Sequence, residues 1–269
     1  MNPTRISRMF ARLRQEGRPG FIAYITAGDP TPADTPALVA ALERGGADLI
    51  ELGVPFSDPI ADGPVIQRGA ERSLKAGTTV HRVLEMAAEI RKVSEIPLLL
   101  FTYLNPVLRY GLDALARDAV AHGIDGCLMT DLSVEEAEDY VAAMRAHGLD
   151  TVFLAAPTST PRRRKLVAQY STGFVYLVSR TGVTGVQESL GPSAASLVES
   201  MRQVTDLPLA VGFGIASAAQ VGEAGAIADA VVVGSALVRC IETNLGSSHL
   251  LHDVETLTRD LVGGLPSKK

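Results

Sequence analysis

Cysteine is scarce: Cys127 and Cys240 are the only two in 269 residues. They are too few and too far apart for a disulfide framework or a metal motif, and they read as packed thiols in a reducing cytoplasm. Long apolar runs are missing as well. The longest, at 98–101 and 230–233, have strand length, whereas a bilayer crossing needs roughly 20 residues, so no membrane association is expected. Basic blocks are limited to Arg162, Arg163 and Arg164, which read as solvated helix surface. With 25 Lys and Arg against 30 Asp and Glu the net charge is −5, and nucleic acid is not an expected partner. The five histidines form no ligand spacing, and no metal is expected. His122 and His147 precede glycines at predicted helix ends, where a cation suits the dipole. His81, His249 and His252 lie in predicted helices or their flanks.

Apolar residues make up 46% of the chain and charged residues 20%, with 25 Gly and 15 Pro scattered along it, which excludes a low-complexity or disordered chain. One α/β barrel of roughly 250 residues fits this length without a linker. Near the N-terminus, Arg5, Arg8, Arg12 and Arg14 suggest a transit peptide. The better reading is an amphipathic helix over about 3–15, because Ile6, Met9, Phe10 and Leu13 repeat at i, i+3, i+4, i+7, with Asn2 and Pro3 as cap and first-turn pair.

A unit recurs along the chain: a helix ending in Gly, then an acid, then a short apolar strand. Four copies are ERGGADLIEL (43–52), AHGIDGCLMT (121–130), AHGLDTVFLA (146–155) and EAGAIADAVVVG (223–234). A variant opens with acid, aliphatic and Pro, at EIPLLLF (95–101) and DLPLAVGFG (206–214), and FIAYIT (21–26) and GFVYLVS (173–179) complete eight strands. Continuous apolar strands are the mark of a parallel sheet covered on both faces. Eight strand–helix units favour closure over an open sheet. The expected fold is α/β, a single (β/α)8 TIM barrel over 1–269 with the N-terminal helix covering its bottom.

Such a barrel builds its active site at the carboxyl ends of the strands. Glu51 lies inside the second strand near that end, on the side of Leu49. Burial raises a carboxyl pKa, so Glu51 is a candidate proton shuttle, unless a lumen arginine pairs it. No Arg or Lys falls within a predicted strand. The following loop, 54–64, holds three prolines with Asp58 and Asp62. Either acid is a second catalytic candidate or a turn acceptor, and the residues alone leave this open. Glycines cluster after the last three strands, at Gly182 and Gly185, Gly212 and Gly214, and Gly234 beside Ser235. Exposed backbone N–H groups and a helix start near Ser235 suit a phosphate ester. The glycine-hinged loop 179–192 reads as a mobile lid. Schiff-base aldol chemistry needs a strand-end lysine, but Lys75, Lys92 and Lys165 fall in or beside helices and Lys268 and Lys269 in the tail. What remains is carboxylate proton transfer.

The motifs YITAGDP (24–30), IELGVPFSDPIADGPVIQ (50–67), NPVLRYG (105–111), YLVSRTGVTG (176–185), VGFGI (211–215) and VVGSALV (232–238) run in order along nearly the whole chain. With them the sequence resembles the tryptophan synthase α chains. The resemblance implies a barrel that cleaves indole-3-glycerol phosphate to indole and glyceraldehyde 3-phosphate by a retro-aldol reaction, without metal or organic cofactor. It makes Glu51 the acid/base and Asp62 the acceptor of the indole N–H. Tyr24, Ile60, Phe101, Tyr103 and Phe213 then line the indole pocket, Tyr176 meets the glycerol part, and Thr184 closes the lid near Asp62. The phosphate sits on backbone N–H groups of Gly185, Gly214, Gly234 and Ser235.

A β chain carrying pyridoxal phosphate is the partner the resemblance implies, in an α2β2 tetramer that receives the indole. Pro55, Phe56, Asp58, Pro59 and Asp131 correspond to its contact surface and relay. One departure lies there: Ser133 stands where the family commonly has Pro. Other readings are a stand-alone lyase of secondary metabolism and a non-catalytic barrel serving as allosteric partner of the β chain.

Overall fold

The computed structural model describes residues 3–178, 192–212 and 214–267. Nine strands form a nearly closed parallel barrel: β1 (Gly20–Thr26), β2 (Leu49–Gly53), β3 (Leu98–Thr102), β4 (Gly126–Met129), β5 (Asp150–Val152), β6 (Leu154–Ala155), β7 (Val175–Val178), β8 (Leu209–Gly212) and β9 (Ala230–Val233). They run in the order β5-β4-β3-β2-β1-β9-β8-β7-β6. The eight predicted strands are all there, the fifth divided at Phe153. Its first half pairs with β4 and its second with β7, so the ring closes through one residue of chain.

Alternation divides the strand residues between two apolar layers, although every residue of β1, β2 and β3 is buried. Phe21, Ala23, Ile25, Ile50 and Leu52 face the surrounding helices, while Ile22, Tyr24, Leu49, Leu99, Phe101, Leu128, Tyr176 and Ala210 fill the lumen. The lumen layer is continuous with Ile6, Met9, Phe10 and Leu13 of the helix Arg5–Glu16, which closes the barrel bottom. Each such buried side chain contributes about 1.5–3 kcal/mol. The helix begins later than the sequence suggests. Thr4, not Asn2 and Pro3, is its cap, with Oγ1 accepting from Ser7 N at 3.1 Å, because a hydroxyl there satisfies an orphan N–H that proline cannot reach. Asn2 lies outside the described residues.

The recurring acid has a structural reason. Asp48 Oδ2 accepts from Phe21 N at 3.0 Å, Asp125 Oδ2 from Leu98 N at 2.9 Å and Asp229 Oδ2 from Leu209 N at 2.8 Å. Each carboxylate satisfies an N–H at the start of the neighbouring strand, at the barrel bottom. Arg18 then forks Asp48 at 2.8 and 2.9 Å, and Arg5 and Arg91 bind Asp125 at 3.1 and 2.9 Å. Gly46 (φ 104°) before Asp48 and Gly123 (φ 83°) before Asp125 supply left-handed turns. Among the described residues no helix is long and apolar enough to cross a membrane.

Candidate active site

The carboxyl ends of β1 and β2 place Tyr24 level with Glu51, and one layer higher Gly53 lies level with Phe101. Glu51 points into the lumen with no exposed surface, and neither carboxylate oxygen has a hydrogen-bond partner among the described residues. Burial pushes its pKa up to about 8. The lumen arginine that would have made it a structural ion pair is not there among the described residues.

Tyrosines and glycines shape the space around it. Burial raises the pKa of the Tyr24 hydroxyl well above its ordinary value, and the Asp62 and Glu51 charges add to this. Tyr176 responds likewise, to burial and then to Glu51. A Cβ at Gly53 would come within 2.2 Å of the Tyr24 hydroxyl, and one at Gly212 within 2.2 Å of the Tyr176 hydroxyl. The two glycines are what let both phenols lie across the mouth. Phe101 packs edge-on against Tyr24, ring centres 5.2 Å apart.

Asp62 stands on the loop above. Tyr103 donates its hydroxyl to Asp62 Oδ2 at 2.9 Å and accepts from Ala61 N at 3.1 Å, which fixes the carboxylate against its own loop. Burial pushes Asp62 up to about 6, and the Tyr103 hydrogen bond works against that rise. The loop passes directly into the helix Pro64–Lys75, with Pro64 at its first position and Gln67 Nε2 donating to Asp62 O at 2.8 Å. Ile60 stands on the rim with 80% of its surface exposed.

On the other side of β1, the helix Ser235–Thr243 starts at Gly234, and among the described residues no side chain caps its first turn. Its free N–H groups and positive dipole end suit an anion. A Cβ at Gly234 would lie 3.3 Å from Tyr24, so this helix start adjoins the same layer as Glu51. Gly214 takes φ +77° and is exposed. Phe213, Thr184, Gly185 and the lid 179–191 lie outside the described residues.

The residues expected at a partner surface gather on the rim. Pro55 is buried, Phe56 and Pro59 are half-buried, and Asp58 and Asp131 are exposed. Phe56 packs on Tyr103 with ring centres 5.2 Å apart. Asp131 Oδ1 accepts from Leu104 N at 2.7 Å, capping the helix Leu104–Tyr110. Ser133 Oγ donates to Glu135 Oε2 at 2.6 Å at the start of a single 3-10 turn. Sequence reasoning missed the clasp of Tyr103 on Asp62. It also missed the burial of Asp29 against Arg72, since partners 41 and 43 residues apart leave no local pattern.

Comparison with known proteins agrees with this geometry. The family model described as tryptophan synthase alpha chain matches residues 10–262. A tryptophan synthase alpha chain of Solibacter usitatus is 68% identical over 265 residues, covering 98% of this chain and 99% of that one. One of Geotalea uraniireducens is 48% identical over 239 residues, covering 89% and 90%. Among solved structures, tryptophan synthase of Mycobacterium tuberculosis superposes with a TM-score of 0.90 at 39% identity, with 98% of both chains covered. Tryptophan synthase subunit alpha of Legionella pneumophila gives 0.89 at 34% identity, covering 97% and 98%. Matched end to end in sequence and in fold, the chain belongs to the tryptophan synthase α-chain family.

Proposed function

We propose that the chain cleaves indole-3-glycerol phosphate to indole and glyceraldehyde 3-phosphate, in tryptophan biosynthesis. The observation that carries this reading is a fully buried Glu51, without a hydrogen-bond partner among the described residues, facing the same mouth as Asp62. Their environments separate their acidities, and so their roles. With a pKa of about 8, Glu51 is mostly the neutral acid at pH 7 and gives its proton to indole C3. With a pKa of about 6, Asp62 is mostly the carboxylate and accepts the indole N–H as the ring becomes cationic. The Glu51 carboxylate then takes the proton of the glycerol hydroxyl next to the ring. The carbon–carbon bond breaks as the aldehyde forms, its electron pair returns to the ring, and Glu51 is neutral again.

Tyr24, Phe101, Tyr103 and Phe213 hold the indole, Ile60 stands at its rim, Tyr176 meets the glycerol chain, and Thr184 on the lid approaches Asp62. Gly185, Gly214, Gly234 and Ser235 receive the phosphate. The reaction uses no metal or cofactor of this chain. The rim of Pro55, Phe56, Asp58, Pro59 and Asp131 docks a β chain that carries pyridoxal phosphate and takes up the indole, in a cytoplasmic α2β2 assembly.

Purified chain given indole-3-glycerol phosphate releases glyceraldehyde 3-phosphate, read by coupling to a dehydrogenase, and the rate rises when a β chain is added. No release under either condition sinks the proposal. A rate already high without a β chain, together with no co-elution, points instead to a stand-alone lyase.

A further inference from the structure

The loop after β1 carries an acid that the reaction above does not use. Asp29 is fully buried, and Arg72 of the helix Pro64–Lys75 grips both its oxygens, Nε to Oδ1 and Nη2 to Oδ2, each at 2.8 Å. The free edge of that guanidinium, Nη1, donates to Glu242 Oε1 at 2.8 Å, in the helix Ser235–Thr243. Arg68, one turn before Arg72, forks the Glu242 oxygens at 2.7 and 2.8 Å. Two acids and two bases thereby tie three elements together at no net charge. The packing between them is close: a Cβ at Gly69 would lie 3.0–3.1 Å from Thr26 Oγ1, Asp29 Oδ2 and Val238 Cγ1. Ser73 Oγ adds a bond to Ala27 O at 2.6 Å.

The tied helices are those that carry the two ends of the site. Helix Pro64–Lys75 starts two residues after Asp62, and helix Ser235–Thr243 starts at the glycine of the phosphate cradle. Arg72 lies about 12 Å along the first helix, and Glu242 next to the end of the second. Helices this short are stiff, so a link between their far parts fixes the separation of their near ends. We propose that Arg72, seated on Asp29 and bound to Glu242, is a positioning residue that sets the spacing between Asp62 and the Gly234–Ser235 cradle. That spacing selects a ligand with an aromatic N–H at one end and a phosphate at the other. The inference rests on the functional reading above. A planar guanidinium suits the task because its fork meets two carboxylates at once, which an ammonium does not. A ligand held at both ends gains affinity only when the spacing matches.

The experiment uses a Glu51→Gln background, in which turnover is slowed by about 10²–10⁴. Adding Glu242→Ala removes both acceptor oxygens, which cuts the link between the helices and leaves the buried Asp29–Arg72 pair in place. Calorimetry then measures inorganic phosphate, indole and indole-3-glycerol phosphate separately. Affinities for the two single-ended probes stay within about twofold, and that for the two-ended ligand falls about tenfold. Arg72→Lys, which keeps the charge and loses the fork, gives the same pattern. A merely structural link would lower the melting temperature and leave the ratio of the three affinities unmoved, and that result overturns the proposal alone. Failure of the Glu51→Gln parent to bind indole-3-glycerol phosphate overturns the functional reading and this proposal together.

Discussion

Replacing Glu51 by Gln separates what the carboxyl does for turnover from what its burial costs the fold. Moving the acid from its ordinary 4.5 to about 8 means that the ionised form is disfavoured inside the barrel by about 5 kcal/mol. The sign follows from linkage. A carboxyl whose folded pKa is raised imposes no penalty below pH 4.5, where it is neutral in both states. The penalty grows as pH rises from 4.5 towards 8, and levels off above. At pH 7 it stands near 3 kcal/mol. Glutamine keeps the shape and never ionises, so the stability of the Glu51→Gln chain relative to the parent rises across this window. Thermal unfolding at several pH values reads it, with a gain of roughly 6–10 °C at pH 7. Turnover falls by about 10²–10⁴, because C3 has lost its acid. Melting curves that keep a constant offset from pH 4.5 to 9 would show that Glu51 is hydrated or paired in solution. The proton-shuttle argument would then lose its basis.

Three further outcomes follow from the same geometry. Lyase activity plotted against pH is bell-shaped, its acid limb near 6 from ionisation of Asp62 and its alkaline limb near 8 from loss of the Glu51 proton; a profile flat across that window contradicts the assigned roles. Tyr103→Phe removes a hydrogen bond that holds the Asp62 pKa down, so the acid limb moves to higher pH while the alkaline limb stays. Movement of both limbs together would mean a general collapse of the mouth. Gly53→Ala drives a methyl into the Tyr24 hydroxyl, and calorimetry should find a loss of about 1–3 kcal/mol together with weakened substrate binding.

What was legible in the sequence was whatever repeats or lies close along the chain. The strands could be read because a covered parallel sheet writes itself as short apolar runs, and Glu51 stood out as an acid inside one of them. The division of the fifth strand at Phe153 was hidden, since the apolar run continues while its hydrogen-bond partners change from β4 to β7. The choice between Asp58 and Asp62 was also hidden. Both sit beside proline or glycine, and only the fold shows Tyr103 reaching across to Asp62 while, among the described residues, the Asp58 carboxylate receives just the neighbouring Ser57 hydroxyl at 2.6 Å. The clamp on Asp29 joins residues 170 apart through Arg72 and Glu242, a distance over which no periodicity operates.

The barrel also shows how one residue type serves opposite ends. Asp48 and Asp125 at the bottom are as buried as a core side chain, yet each accepts a backbone N–H and at least one arginine, so every oxygen has a donor. Asp29 at the top is paired in the same way, which marks it as a holding group and not a reacting one. Glu51 is buried to the same degree and has no donor among the described residues. An unpaired buried carboxyl costs the fold several kcal/mol once ionised, and a core glutamine or leucine of similar volume would avoid that. The cost is limited because the group stays mostly protonated near neutrality, the state in which, on the proposed mechanism, it hands a proton to the ring. Burial therefore does not separate the acid proposed to work from the structural ones; the absence of a donor among the described residues does.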